Sequence, residues 1–147
     1  MVGPLTHARH IPLSQDAALV VTLAGTAMPF AHSAADEAER WLRALRLHGQ
    51  VGSVLQALGV GEAPLVTDAE QERPSGDGPA RGPENLDEVT RRATAVAAKR
   101  EADTVGTTDL LFAVFEVYGE LFDRALYMRG TGREELVERL AEAGSPQ

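Results

Sequence analysis

The sequence contains no cysteine, so disulfide bonds and thiolate metal sites are excluded and a reducing cytoplasm is the expected location. Aromatic residues make up only 5% of the chain. Because strands prefer aromatic and β-branched side chains, this composition favours helices. No apolar run approaches the roughly 20 residues of a membrane span. Residues 1–10 lack the basic-then-apolar order of a signal peptide, so we expect a cytoplasmic protein without a membrane partner.

Basic residues are outnumbered by acidic ones, 14 to 22, which gives a formal net charge of −8. Nucleic-acid binding needs clustered lysine and arginine, so the charge balance argues against a nucleic-acid partner. It allows basic or arginine-bearing peptides as partners. The chain has 147 residues, of which 44% are hydrophobic, and this fits one domain with a substantial core.

One stretch organises the chain, a glycine-centred corner between two helical patterns. Gly106 interrupts the helical periodicity, and Thr107 or Thr108 is predicted to cap the following helix with its hydroxyl. Asp109 then falls in the first turn, where a carboxylate suits the helix dipole. The pattern predicts a helix, a short turn and a second, apolar helix that continues to about Tyr118.

Helical patterns also fill the first half of the chain. Ser14 and Ser33 are predicted N-caps, and Gly59 is a predicted C-terminal stop. The first helix is expected to end near Ala27, and Phe30 is expected to enter the core after that break.

The two halves are separated by residues 61–84, a predicted mobile linker. This segment contains several prolines with glycines between them and cannot hold a helix. The expected organisation is therefore a single domain over residues 1–147, with a first repeat over 11–60, a linker over 61–84 and a second repeat over 85–143. The first repeat is degenerate, since it lacks the glycine–threonine signature of the second.

Two motifs resemble the Clp N-terminal domain, the adaptor- and substrate-binding module of Clp/Hsp100 unfoldases. Its repeat typically reads Ile-Gly-Thr-Glu-His-Leu-Leu after an alanine-rich helix. Here Val105-Gly106-Thr107 and Leu110-Leu111 match, while Thr108 and Asp109 replace the Glu-His pair. The segment 10–14 is similar to the His-Ile-Pro-Phe-Thr that opens a repeat.

The resemblance implies an all-α fold of two pseudo-twofold-related repeats of about four short helices each. It implies a peptide- or protein-binding module, and no Gly-Lys-Ser or Gly-Lys-Thr ATPase signature accompanies it. Such a module would act as an adaptor, a decoy or an antibiotic-sequestering protein linked to Clp proteolysis. Its partners would be a Clp unfoldase, an adaptor or a peptide natural product.

The resemblance also implies where a ligand would bind. Leu13 and Leu86 stand where the family has apolar residues that line a groove between the repeats, and Val20 is expected beside them. The alternative for both leucines is a staple packed on its own helix. In some members a glutamate of each repeat binds phosphorylated arginine; by sequence register Glu39 takes that place in the first repeat and Thr108 in the second.

Asp109 is the last of the candidate binding residues. Because Thr108 replaces the family's glutamate in the second repeat, the sequence leaves open whether phosphorylated arginine is recognised. For Glu39, the alternative is a surface ion pair with Arg43, four residues on.

No catalytic motif is recognised, and no cofactor or metal is predicted. The serines lack a Gly-x-Ser-x-Gly elbow. His32 and Asp36 have an i,i+4 spacing that metal sites use, but they are better explained as a solvated helix start. The alternative function is a small helical biosynthetic enzyme with a pocket between the repeats that contains His32, Glu39 or Asp109. A third hypothesis is a structural subunit with an apolar oligomer interface.

Overall fold

The structure is a computed structural model that describes residues 11–60 and 83–144, and these residues form helices joined by short connections, with no β-strand. The predicted all-α class is confirmed. The elements follow one another as α1 (Gln15–Ala27), a 3₁₀ helix (Met28–Phe30), α2 (Ala34–Leu47), α3 (Gly49–Ala57), α4 (Pro83–Lys99), α5 (Thr107–Tyr118), α6 (Glu120–Tyr127) and α7 (Arg133–Gly144). None of these helices has the length and apolar character needed to cross a membrane.

Most of the predicted linker, residues 61–82, lies outside the described residues. Its last two residues, Pro83 and Glu84, belong to α4 instead. A proline at the first helical position fits because its missing N–H would have no partner inside the helix.

Serine caps begin the first two helices as predicted. The Ser14 hydroxyl accepts a hydrogen bond from the Ala17 N–H at 3.1 Å, and the Ser33 hydroxyl accepts one from the Asp36 N–H, also at 3.1 Å. Each bond satisfies an amide that has no partner inside its helix. Gly59 follows the end of α3 with φ +87°, which is the left-handed geometry expected of a C-terminal glycine.

α5 is the central helix. Its buried side chains occupy every side rather than a single stripe, which is typical of an enclosed helix. It packs against α1, α2, α3, α4 and α6. The cap of α5 is Gly106 and not Thr107 or Thr108. The Asp109 carboxylate accepts a hydrogen bond from the Gly106 N–H at 2.8 Å. Asp109, the third residue of the helix, therefore provides the side-chain hydrogen bond that a threonine was expected to provide.

Residues from the two halves fill one core. α4 packs on α1, α6 packs on α2, and α7 packs on α3. Buried apolar side chains from both halves form a single cluster. Neither half buries its apolar faces without the other, so the described residues fold as one unit.

Met28, and not Phe30, enters the core after the first helix. The Met28 side chain is only 2% exposed, whereas that of Phe30 is 69% exposed. The 3₁₀ turn that contains Pro29 changes the residue spacing from 3.6 to about 3 per turn. This change points Phe30 away from the core.

Candidate functional site

The two halves meet through a short backbone pairing, which we call the seam and define as the segments 12–14 and 105–109. The Ser14 N–H donates to the Val105 carbonyl at 2.9 Å, and the Val105 N–H donates to the Pro12 carbonyl at 2.8 Å. These bonds pair Leu13 with Val105 in parallel. The residues that open the first half therefore lie against the glycine–threonine corner of the second half.

Leu86 lies away from the seam. Its Cδ2 atom is 3.4 Å from the position that a Cβ would take on Gly25, near the C-terminal end of α1. Leu13 lies just before the N-terminal end of α1, and eleven residues of helix span about 16 Å. The structure thus places these two predicted groove residues at opposite ends of α1, each half-buried.

Val20 cannot contact a ligand at the surface. Its side chain is completely buried in the core, which corrects its prediction as a binding residue. The cause is its position on α1, where Ala17, Val20 and Ala24 form the inward stripe.

Asp109 is committed to a structural pair. It is 1% exposed and accepts from Arg100 Nε at 2.8 Å in addition to the Gly106 N–H. The hydrogen bonds from Arg100 to Asp109 raise the pKa of the Arg100 guanidinium above its ordinary value. Thr108, its neighbour, is half-buried at the seam.

Glu39 pairs with Arg129 from the end of α6, with 2.6 Å between Oε1 and Nη2. The two side chains are only 20% and 11% exposed. Sequence spacing predicts Arg43 as a partner of Glu39, but spacing along one helix cannot identify Arg129, which lies ninety residues further along the chain. Glu39 therefore serves as a contact between α2 and α6.

The helix starts give a different register between the halves from the one predicted. Ser33 caps α2 and Gly106 caps α5, which aligns Asp36 with Asp109. Thr108 then corresponds to Ala35, and Glu39 falls one turn further into its helix. The sequence register that matched Glu39 with Thr108 differs from this alignment by four residues and stays a prediction.

His32 does not join the other candidate catalytic residues. Its side chain is exposed, and its backbone N–H donates to Asp36 Oδ2 at 3.0 Å. Asp36 also accepts from Arg40 Nε at 3.2 Å. The carboxylate therefore belongs to the helix start, as predicted, but it is buried rather than solvated. In the segments 11–60 and 83–144 no three metal-binding side chains converge.

A buried polar cluster joins the halves and was missed by sequence reasoning. Glu37 of α2 has no solvent exposure, and its Oε1 accepts from the Tyr118 hydroxyl and from Asn85 Nδ2, both at 2.9 Å. Burial, followed by the Glu37 charge, raises the pKa of Tyr118 well above its ordinary value. Trp41 borders the same hydroxyl, although its indole N–H has no hydrogen-bond partner among the described residues.

The sequence contained one signal for this cluster. Glu37 lies four residues before Trp41 and beside Ala38, so it shares the buried face of α2. The spacing within α2 does not identify Asn85 and Tyr118 as its partners, because both are distant in sequence. A closed cluster of this kind supports the fold, because no solvent path reaches the carboxylate for chemistry on a substrate.

An open depression of about 280 Å³, the α1–α2 groove, lies on the outer face of the first half. Its charged lining residues are both arginines. The groove is lined by Leu23, Thr26, Ala27, Arg40, Arg43, Ala44 and Leu47.

Comparison of the sequence with protein-family models and with curated proteins finds no match.

Proposed function

We propose that the chain is a stand-alone peptide- or protein-binding module of the Clp N-terminal type, built from two repeats. The reciprocal arrangement of the halves carries this proposal. The opening segment of the first half pairs with the corner before α5, through Leu13 and Val105. The opening of the second half reaches the start of α2, where Asn85 donates to Glu37.

Helix packing supports a pseudo-twofold relation between the repeats. If α1, α2 and α3 correspond to α4, α5 and α6, most contacts should recur between corresponding helices, and the α1–α5 packing is the exception, since α2 and α4 do not pack to a similar extent. The α1–α2 and α4–α5 contacts form such a pair, as do α2–α3 with α5–α6 and α2–α6 with α3–α5. The α1–α4 and α2–α5 contacts lie on the proposed axis.

The helix corners support the same correspondence. Asp36 and Asp109 are each the third residue of their helices. Each accepts a backbone N–H from before its helix, that of His32 or Gly106, and each pairs with an arginine. Equivalent roles in two corners are expected of a duplicated unit.

Binding is favoured over catalysis because the candidate catalytic side chains have structural partners. Glu39 pairs with Arg129 and Asp109 pairs with Arg100. The buried Glu37 cluster is the arrangement with the most perturbed titrating group, but it is closed to solvent. The biosynthetic-enzyme alternative would need an open pocket around such residues.

Phosphorylated arginine is not the proposed ligand. In the register given by the helix starts, the family's glutamate positions are occupied by Ala35 and Thr108. Neither supplies the carboxylate that this recognition requires. We propose instead a ligand that contacts apolar and neutral surface at the seam, around Leu13 and Thr108, in the manner of an adaptor segment or a cyclic peptide.

The test is direct binding between the purified full chain and three purified partners: a Clp unfoldase, a Clp adaptor and a Clp-directed cyclic peptide. We expect at least one dissociation constant in the micromolar range or below. Thr108→Lys and Leu13→Ser should weaken that binding about tenfold by altering the seam. Tyr127→Ser is the matched control, because this side chain is 79% exposed at the end of α6.

Absence of binding to all three partners would refute the Clp assignment. A stable oligomer that buries Leu13 would support the structural-subunit hypothesis in its place, and analytical ultracentrifugation reports this directly.

A further inference from the structure

The backbone of Leu13 forms the outer edge of the seam. In the parallel pairing, the Val105 N–H donates to the Pro12 carbonyl and the Val105 carbonyl accepts from the Ser14 N–H. Along an extended chain, the N–H and C=O groups of successive residues point to alternate edges. The N–H and C=O of Leu13, which lies between Pro12 and Ser14, therefore point away from Val105.

Both of these backbone groups of Leu13 are available for a further hydrogen bond. Within residues 11–60 and 83–144, neither the N–H nor the C=O of Leu13 has a hydrogen-bond partner. Leu13 is half-buried, and Pro12 before it is exposed. Because buried backbone polar groups are almost always paired, this unpaired donor and acceptor indicate an edge that solvent reaches. Such an edge is a template for another strand.

The local sequence keeps this segment extended. Pro12 restricts the residue before it, Ile11, to extended backbone angles. Ser14 has φ −64° and ψ 165° as the N-cap of α1, so the helix begins only after it. The opening of the second half differs, because Pro83 begins α4 and Asn85 already lies inside that helix. The duplicated unit therefore has an extended opening in its first copy and a helical opening in its second.

An extended backbone is the occupant that matches this edge. A helix bonds its own N–H and C=O groups internally and leaves few to offer. A strand presents an N–H and a C=O to each edge at every second residue, which fits the donor and acceptor of Leu13. The half-buried Leu13 side chain also gives apolar contact to a neighbouring residue of an added strand.

We propose that the ligand of the seam binds as an added β-strand, with the Leu13 N–H donating to a ligand carbonyl and the Leu13 carbonyl accepting from a ligand N–H. This inference rests on the proposed function, because it uses the seam of the same binding module. It specifies the ligand as an extended peptide segment with an apolar or β-branched residue beside Leu13.

The test uses two peptides of about six residues, a usual length for a strand. Both alternate valine and threonine between terminal lysines, and the second is N-methylated along its backbone. Titration into the isotopically labelled full chain is followed by amide chemical shifts. We expect the unmethylated peptide to shift the Leu13 and Ser14 resonances. It should bind about fivefold more tightly than the methylated peptide, which lacks the donor to the Leu13 carbonyl.

A pair of variants tests the donor on the protein side. Leu13→Pro removes this N–H but retains the Pro12 carbonyl and the Ser14 N–H, the groups that bond to Val105. Leu13→Ala loses the side chain and keeps the N–H. The unmethylated peptide should bind Leu13→Pro about fivefold more weakly than Leu13→Ala. Leu47→Ala, at a leucine that is 47% exposed at the end of α2, is the matched control and should leave binding unchanged.

Hydrogen exchange verifies the seam in each variant, since the Ser14 and Val105 amides should stay protected. If Leu13→Pro loses this protection, the comparison of the two peptides decides alone. Equal binding of the two peptides, or the absence of shifts at Leu13, would overturn the proposal. Equal binding of Leu13→Pro and Leu13→Ala with an intact seam would do the same. Concentration-dependent shifts at Leu13 without peptide would replace the ligand with a second copy of the chain.

These results separate the strand mode from the Clp assignment. Clp partners that bind equally to Leu13→Pro and Leu13→Ala would support the module and overturn the strand mode. Conversely, the predicted responses to the two peptides, combined with no binding of any Clp partner, would support a site for extended peptides and refute the Clp assignment.

Discussion

Glu37 is a carboxylate without solvent exposure that accepts hydrogen bonds from two helices of the other half. A charge in such a place is costly unless donors surround it. Removing one donor therefore has a larger effect than the loss of an ordinary surface hydrogen bond. The cluster contributes a specific alignment of α2 with α4 and α5.

Tyr118→Phe is expected to lower the free energy of unfolding by about 1.5–3 kcal/mol, the typical cost of removing a hydrogen bond to a charged group. Urea denaturation followed by circular dichroism measures this change. Tyr127→Phe is the matched control and should change stability by less than about 0.5 kcal/mol, because Tyr127 is exposed. Equal effects of the two substitutions would show that the buried bond contributes nothing.

The raised pKa of Tyr118 predicts a loss of stability in alkali. An unfolded tyrosine loses its proton near pH 10, while the folded Tyr118 retains it. The unfolded chain therefore binds fewer protons above pH 10, and stability falls there by up to about 1.4 kcal/mol per pH unit. Below pH 10 this contribution is fully present. The stability difference between wild type and Tyr118→Phe should shrink from pH 10 to 11.5, and parallel curves would contradict this assignment.

Glu101 is the single non-glycine residue with positive φ in the described ranges, at +59°. It follows α4 in the left-handed position that glycine usually occupies. Glu101→Gly should raise the free energy of unfolding by about 0.5–1 kcal/mol. The reciprocal change is Gly59→Ala, where φ is +87° and no atom would contact the new Cβ; it should lower stability by a similar amount. Thermal denaturation of the pair would refute the backbone explanation if both melting temperatures moved in the same direction.

At the scale of helices, α3 and α5 contact each other closely where each begins. A Cβ on Gly49 would lie 2.7 Å from Cγ2 of Thr107, and the Thr107 side chain is buried. Gly49 also has φ +77°, so its lack of a side chain serves both the turn and the packing.

Gly49→Ala should lower the free energy of unfolding by about 2 kcal/mol or more, because strain and overlap combine. The comparison is Gly59→Ala, which has the strain alone. Combining Gly49→Ala with Thr107→Ala removes both overlapping atoms, Cγ2 and Oγ1, and should recover part of the loss in a double-mutant cycle. Additive losses would show that the overlap is absent.

The sequence was most informative about individual helices. Ser14 and Ser33 were predicted correctly as caps because a cap depends on residues within one turn. The predicted cap of α5, Thr107 or Thr108, was wrong. Two threonines and a glycine are all candidates for the cap position there, and the Asp109 side chain accepts the hydrogen bond of the Gly106 N–H from inside the helix.

At the scale of the whole molecule, local pattern could not identify partners that are distant in sequence. Glu39 lies on α2 and Arg129 lies in the turn after α6, in the other half, and no spacing rule connects them. The same limit explains Leu13 and Leu86, whose shared role in one groove was predicted although α1 separates them. It also explains why sequence reasoning missed the hydrogen bonds from Asn85 and Tyr118 to Glu37.

The most direct measurement is the rate at which a purified Clp unfoldase–protease complex degrades a fluorescent substrate as the full chain is added. A change in rate that saturates with concentration, or recovery from a cyclic-peptide inhibitor, is the predicted result. The Thr108→Lys variant should shift the midpoint of that response about tenfold. A degradation rate that stays constant at saturating chain, with and without inhibitor, would contradict the account.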